Sequence, residues 1–152
     1  MTQAIKLLTV LPPDQRERLM SLAREVHFPE DARIFEAGGT ADRFWVLRSG
    51  AVSLDQRVNH LHRTTVAGLG AGDLLGWSWL FPPYRWDFGA VAFSQVRAYE
   101  FDAGAVLDLC EQDPRLGLTL VRGVAEILAQ RLEMTRGLLL EQYALHRRGV
   151  VP

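Results

Sequence analysis

The chain has 152 residues, enough for one domain with a core of its own, and 48% hydrophobic with 23% charged residues is ordinary for a globular protein. Lysine and arginine total 17 against 18 acidic residues, so no overall positive charge favours nucleic acid or an anionic membrane. The single cysteine, Cys110, excludes an internal disulfide and any metal site built from several thiolates of one chain.

The N-terminal part, residues 1–28, is predicted to be helical. Pro12-Pro13-Asp14 places proline at a helix-start position, and apolar residues with helical spacing follow on one face: Leu19, Leu22, Ala23 and Val26. The helix should end by Phe28, because a residue before proline is pushed out of the helical region.

Strand signals begin near Arg24 and continue to Phe101 as short, partly alternating runs separated by turn residues. The predicted strands are residues 33–35, 44–47, 51–54, 63–66, 88–93 and 96–101. Many short strands with frequent turns are typical of a sandwich or a roll. We therefore expect a β-roll over residues 29–101.

Residues 103–146 return to helical spacing. A short helix is predicted over 105–110, and Asp113-Pro114 then provides an N-cap and a first-turn proline for a long helix that reaches about His146. Its apolar stripe comprises Leu120, Val124, Ile127, Met134 and Leu138. About 30 helical residues extend roughly 45 Å, more than a small domain needs to cover its core. We expect a homodimer joined along this helix.

Residues 72–86 join the strands to the last hairpin. Gly72 and Gly76 bracket a Leu-Leu pair, and a helical turn starting at Gly76 would leave amide N–H groups free to hold an anion or a phosphate. The alternative is that Gly76 only permits a tight turn and that the nearby tryptophans only pack.

The order of these parts resembles the cyclic nucleotide-binding domain of the Crp/Fnr (catabolite-activator) superfamily. The matching segments are residues 7–22, 28–38, 44–52 and 72–76, together with the long helix. The resemblance implies one domain over residues 1–152, mainly β with α: a double-stranded β-roll with an N-terminal helix and a long C-terminal helix. It also implies a cyclic nucleotide, cAMP or cGMP, as the ligand, and signalling through a dimeric helix.

The phosphate-binding cassette departs from the superfamily's pattern. Trp77 stands where the resemblance places a glutamate that accepts from the ribose hydroxyl, and Trp86 stands where it places the arginine that holds the phosphate, with Arg85 one residue away. We therefore expect weak cyclic nucleotide binding. The candidate ligand residues are Gly76, Trp77, Ser78, Trp79, Arg85, Trp86 and Thr135.

Thr135 enters that set because residues 129–135 resemble the segment whose threonine reaches the nucleotide base in catabolite-activator proteins. The alternative is that Thr135 is only a residue of the dimer seam.

We expect a cytoplasmic, non-enzymatic regulatory module, because no nucleophile or metal cluster and no leader or membrane span is recognisable. Two alternatives stay open: a dimeric interaction module that binds no ligand and, more remotely, a cupin-like metal enzyme using His60 and His62. Transcription factors of the superfamily continue into a helix-turn-helix, whereas this chain stops at Pro152, so we expect no specific DNA binding.

Overall fold

A computed structural model describes residues 4–149. Two short helices, α1 (Leu7–Val10) and α2 (Pro13–Met20), precede the strands, and two helices, α3 (Ala103–Gln112) and α4 (Pro114–Arg147), follow them. The strands are β1 (Arg24–Phe28), β2 (Arg33–Phe35), β3 (Arg43–Ser49), β4 (Val52–Asn59), β5 (His62–Leu69), β6 (Leu74–Leu75), β7 (Gly89–Ala92) and β8 (Val96–Asp102). A single 3-10 turn, Ser78–Leu80, lies between β6 and β7.

The described strands form two antiparallel sheets, with the orders β1-β8-β3-β6 and β2-β7-β4-β5. Four consecutive residues of β3, Phe44 to Leu47, are all buried, because this strand has core on both faces. Phe44 stacks between Trp79 and Phe101 at ring-centroid distances of 4.4 and 4.8 Å. The architecture confirms the predicted β-roll with flanking helices.

The N-terminal helix is shorter than predicted. It ends at Met20, and after a three-residue turn Arg24–Phe28 form strand β1, paired with β8 in a register that sets Val26 against Ala98. The helical spacing of Leu22 and Val26 is therefore coincidental, because pairing with β8 determines the conformation of this segment. The roll accordingly begins at Arg24 instead of residue 29.

Helix α4 begins where the sequence predicts. The Asp113 carboxylate accepts from the Leu116 backbone N–H at 3.2 Å, which satisfies one of the free donors of the first turn. Pro114 occupies the first turn, and the helix ends at Arg147, one residue beyond the predicted end. Both predicted boundaries are confirmed.

The predicted apolar stripe of α4 does not form one exposed surface, so this prediction is wrong. Leu120 and Val124 are fully buried and Ile127 is 3% exposed, because all three belong to the hydrophobic core of their own chain. Only Met134 and Leu138, farther along the helix, are exposed.

A different apolar stripe of α4 is exposed to solvent along most of its length. We call it the outer stripe, and it comprises Val121, Leu128, Leu132 and Leu139. Leu132 and Leu139 are 68% and 69% exposed, and Leu128 is half-buried. The spacings of seven, four and seven keep these residues on one side of the helix, as in a coiled-coil seam.

Candidate ligand site

A small cavity lies where the roll meets α4. Its lining comes from β2, β4, the segment after β6, the segment before β7, and α4: Phe35, Leu54, Gly76, Trp77, Ser78, Trp86, Asp87, Phe88 and Arg131. Its volume is about 20 Å³, which is room for little more than a water molecule. Pockets for drug-sized ligands are typically about 300–1,000 Å³, so no nucleotide fits in this conformation.

Trp86 is a buried wall of the cavity. Its indole is 6% exposed and stacks on the Phe35 ring, with centroids 4.1 Å apart and planes 17° apart. A Trp45 ring lies 5.9 Å away on the core side. The position predicted for an arginine is therefore occupied by an apolar side chain, the Trp86 indole, which packs against Phe35 and Trp45.

Gly76 leaves space for the Trp86 indole because it has no side chain. Its φ of +94° lies in the left-handed region, and a Cβ added there would lie 2.7 Å from Cζ3 of Trp86. Any other residue at position 76 would therefore be strained and would also displace the indole. The positive φ is the backbone conformation that the sequence predicts for this glycine, and the group that lies against it is a side chain of the same protein.

Trp77 and Ser78 complete the part of the site that the sequence identifies. Trp77 is half-buried, lines the cavity and has its ring 5.8 Å from that of Phe81. Ser78 is buried and lines the same cavity at the start of the 3-10 turn. Together with Gly76 and Trp86, these are the candidate ligand residues that the structure brings together.

Trp79 lies outside the cavity lining, in the core of the roll. Its ring stacks on Phe44, and its Nε1 donates to the Gly76 carbonyl at 3.1 Å. It thereby fixes the turn that carries Gly76, so its contribution to the site is indirect. Direct contact with a ligand stays a prediction.

Arg85 and Thr135 also lie outside the cavity lining. Arg85 is exposed, and its Nη1 donates to the Gly38 carbonyl at 3.0 Å. Thr135 is exposed on α4, and its Oγ1 donates to the Arg131 carbonyl at 2.9 Å within the same helix. The structure gives neither side chain a place beside Trp86.

Arg131 is the cavity residue that the sequence interpretation missed. It is half-buried, and its Nη2 donates to the Leu74 carbonyl at 2.6 Å, which joins α4 to strand β6. Burial lowers the pKa of the guanidinium, and the negative charge of Asp73 partly opposes this shift. Arg131 follows Ile127 by four residues and so shares its face of the helix, but only the structure shows that this face is buried.

A family model for the cyclic nucleotide-binding domain matches residues 25–113, which is more than half of the chain. The chain belongs to the cyclic nucleotide-binding domain family. The matched span of this cyclic nucleotide-binding domain runs from β1 through the cassette into the start of α4. The resemblance inferred from the sequence is confirmed.

Among curated proteins, a CRP-like cAMP-activated global transcriptional regulator of Mycobacterium tuberculosis is 26% identical over 123 residues. The match covers 81% of this cyclic nucleotide-binding domain chain and 53% of the regulator, so the chain spans about half the length of that relative.

Two solved structures share the fold. A cyclic nucleotide-binding domain from Methylobacillus flagellatus gives a TM-score of 0.80 at 18% identity, covering 87% of this chain and 74% of that one. The catabolite activator protein of Thermus thermophilus gives a TM-score of 0.73 at 24% identity, and the match covers 91% of this chain and 63% of that one.

The described residues also bear on a metal site and on a membrane span. Between residues 4 and 149, no three histidine, cysteine or acidic side chains come together in a way that could hold a metal ion. His60 and His62 are exposed at the β4–β5 turn, where His62 Nδ1 lies 3.3 Å from Asn59 Oδ1. Within the same residues, no helix combines the length and apolar character needed to cross a membrane.

Proposed function

We propose that this cyclic nucleotide-binding domain is a non-enzymatic regulatory module whose ligand site is closed to cyclic nucleotides by Trp86 and which acts as a homodimer through α4. The observation that carries the first part is the position of the Trp86 indole, stacked on Phe35 and against Gly76 where a ligand would lie. The outer stripe of α4 supports the second part.

The chemistry of the two tryptophans argues against tight cAMP or cGMP binding. An indole offers one donor and no acceptor, so Trp77 cannot accept from a ribose hydroxyl and Trp86 cannot offset a phosphate charge. A hydrogen bond to a charged group contributes about 1.5–3 kcal/mol, and two such losses weaken binding by at least roughly a hundredfold. A nucleotide would also have to displace the indole from its stacked position.

The dimer proposal rests on apolar surface. The outer stripe exposes Leu132 and Leu139 to solvent in a single chain, and a two-fold related copy would bury the same residues from both sides. The homodimer predicted from sequence therefore keeps α4 as its interface, with the outer stripe as the seam. Thr135 falls on that side of the helix, between Leu132 and Leu139, which favours the seam interpretation of this residue.

Calorimetry with cAMP tests the closed site. The wild type should show weak or undetectable binding, whereas the Trp77→Glu, Trp86→Arg double variant should bind at least about a hundredfold more tightly if it folds. Trp77→Glu alone is the control that leaves the Trp86 indole in place, and it should stay weak. Tight cAMP binding by the wild type would overturn the proposal.

A second candidate function is a dimeric interaction module that binds no ligand at all, and the cavity volume of about 20 Å³ favours it. Thermal unfolding separates the two candidates. A ligand at 100 times its dissociation constant adds about 2.7 kcal/mol to the stability of the folded state, and a module without a ligand shows no saturable shift.

A further inference from the structure

We infer that the cavity beside Arg131 is a site for one small monovalent anion of about halide size, held by Arg131 and Ser78. The inference rests on the proposed function in one respect: Trp86 must keep larger ligands out. It assigns to this site a ligand class different from a nucleotide and a cationic residue that comes from α4.

Arg131 brings a positive charge whose hydrogen-bonding capacity is largely unused. A guanidinium has five N–H donors, and among the described residues this one makes a single hydrogen bond, to the Leu74 carbonyl. Within residues 4–149, no carboxylate lies at ion-pair distance from it. A partly desolvated cation of this kind gains more from an anion than from a neutral water molecule.

The carboxylate whose charge stabilises the Arg131 guanidinium, that of Asp73, already has other partners. Asp73 lowers the cost of the buried charge from a distance, but its Oδ1 accepts from Lys6 Nζ at 2.7 Å and its Oδ2 from the Gly70 backbone N–H at 2.8 Å. Its oxygens are therefore held on the side of the cassette turn, and the remaining donors of Arg131 stay available.

Ser78 is the second, independent observation. The residue is 6% exposed, lines the cavity, and its hydroxyl has no hydrogen-bond partner among the described residues. Among the described residues the Ser78 Oγ is not one of the fully buried, unpaired polar atoms, so it keeps accessible surface and can donate to whatever occupies the cavity. Ser78 and Arg131 thus provide donors of two kinds to one small space.

Size and charge limit the anion. The volume of about 20 Å³ admits a particle close to a water molecule in size and excludes a phosphate ester. Asp87, an exposed carboxylate, also lines the cavity, and its negative charge disfavours multiply charged anions. The aromatic rings of Phe35, Trp77 and Trp86 form the remaining walls and suit a weakly hydrated ion.

Such an anion would add a second polar link between α4 and this part of the roll, beside the hydrogen bond from Arg131 to the Leu74 carbonyl. Arg131 belongs to α4, and Ser78 belongs to the segment after β6. An ion shared by both would fix α4 against the cassette just before the helix leaves the roll at Leu132. Anion binding and the position of α4 would then be coupled thermodynamically.

Bromide is the probe, because it quenches indole fluorescence on contact and Trp77 and Trp86 line the cavity. Sodium bromide is titrated against sodium gluconate at constant ionic strength. The wild type should show a saturable component of quenching in addition to the linear collisional one. Arg136→Met is the matched control, since Arg136 is an exposed arginine of the same helix, and it should retain the saturable component.

Arg131→Met should abolish the saturable component, and Ser78→Ala should weaken the apparent affinity about tenfold through loss of one hydrogen bond to a charged partner. If Arg131→Met does not fold, Ser78→Ala decides. Strictly linear quenching of the wild type, or unchanged saturation in Ser78→Ala, overturns the inference. A parallel cAMP titration separates this failure from that of the proposed function: tight cAMP binding refutes the closed site, whereas linear bromide quenching refutes only the anion.

Discussion

Glutamate substitutions five residues apart on α4 should have different consequences. Ile127 is 3% exposed and Leu132 is 68% exposed in a single chain, so Ile127→Glu puts a carboxylate into the core, whereas Leu132→Glu changes only the outer stripe. The first should lower the free energy of unfolding by at least about 3 kcal/mol. The second should leave the fold of each chain intact.

The effect of Leu132→Glu on association follows from its exposed area. Complete burial of a leucine side chain contributes about 1.5–3 kcal/mol, of which roughly two thirds is still available here, or about 1–2 kcal/mol per chain. Two chains give about 2–4 kcal/mol, which predicts a dimer dissociation constant about 30-fold to several-hundred-fold weaker. Repulsion between the two facing carboxylates adds to this effect.

Sedimentation equilibrium over a range of protein concentrations measures the association, and urea unfolding of the same samples measures stability. The reasoning fails if Leu132→Glu dimerises like the wild type, or if the wild type is monomeric at high concentration. It also fails if Ile127→Glu dissociates the dimer while its unfolding midpoint stays unchanged, because Ile127 would then lie in the interface.

Two other predictions concern single sites. Gly76→Ala should destabilise the fold by about 1–3 kcal/mol, because alanine at a positive φ is strained and its Cβ would meet Trp86; unchanged urea unfolding would contradict this. Cys110 should react with thiol reagents more slowly than an unfolded cysteine, because burial and then the charge of Asp113 raise the thiol's pKa. Equal labelling rates in native and urea-unfolded protein would refute this account. Because the thiol's pKa is higher in the folded protein, the contribution of Cys110 to the free energy of unfolding also falls as pH rises above the pKa of the unfolded thiol.

Local signals were sufficient for most of the roll and for α4. Turn residues such as Gly50 mark strand boundaries, and Asp113-Pro114 defines the start of a helix through one side-chain hydrogen bond, so these elements depend on neighbours in sequence. The two strands that were missed depend on distant partners. β1 is held by β8, and β6 has only two residues, Leu74–Leu75, paired with β3.

The two apolar sides of α4 could not be told apart from the sequence. Both have helical spacing, and only the packed structure shows that Leu120 faces its own roll while Leu132 faces outward. The same lack of tertiary information hid Arg131, because a charged residue in an apolar pattern is usually assigned to solvent. Its position four residues after Ile127 becomes informative only once that face is known to be buried.

The candidate residues that do line the cavity were found partly because they are neighbours in the sequence and only partly because of their chemistry. Residues 76–78 line the cavity because one turn carries them all, and Trp86 joins them from the segment before β7. Trp79 belongs to the same turn, but its side chain points into the core instead, where it stacks on Phe44. A single sequence does not specify which tryptophans of such a cluster face a ligand and which face the core.

The missing side chain at Gly76 has a consequence for how this site can change during evolution. The backbone at position 76 has a positive φ and no side chain, and the same surface that receives the Trp86 indole would receive a bound molecule. A lineage could therefore gain or lose an external ligand by exchanging the residue at position 86, with no rebuilding of the turn. Descendants of one ancestral domain could thus alternate between sensing and constitutive behaviour over few mutational steps, and their backbones alone would not distinguish the two.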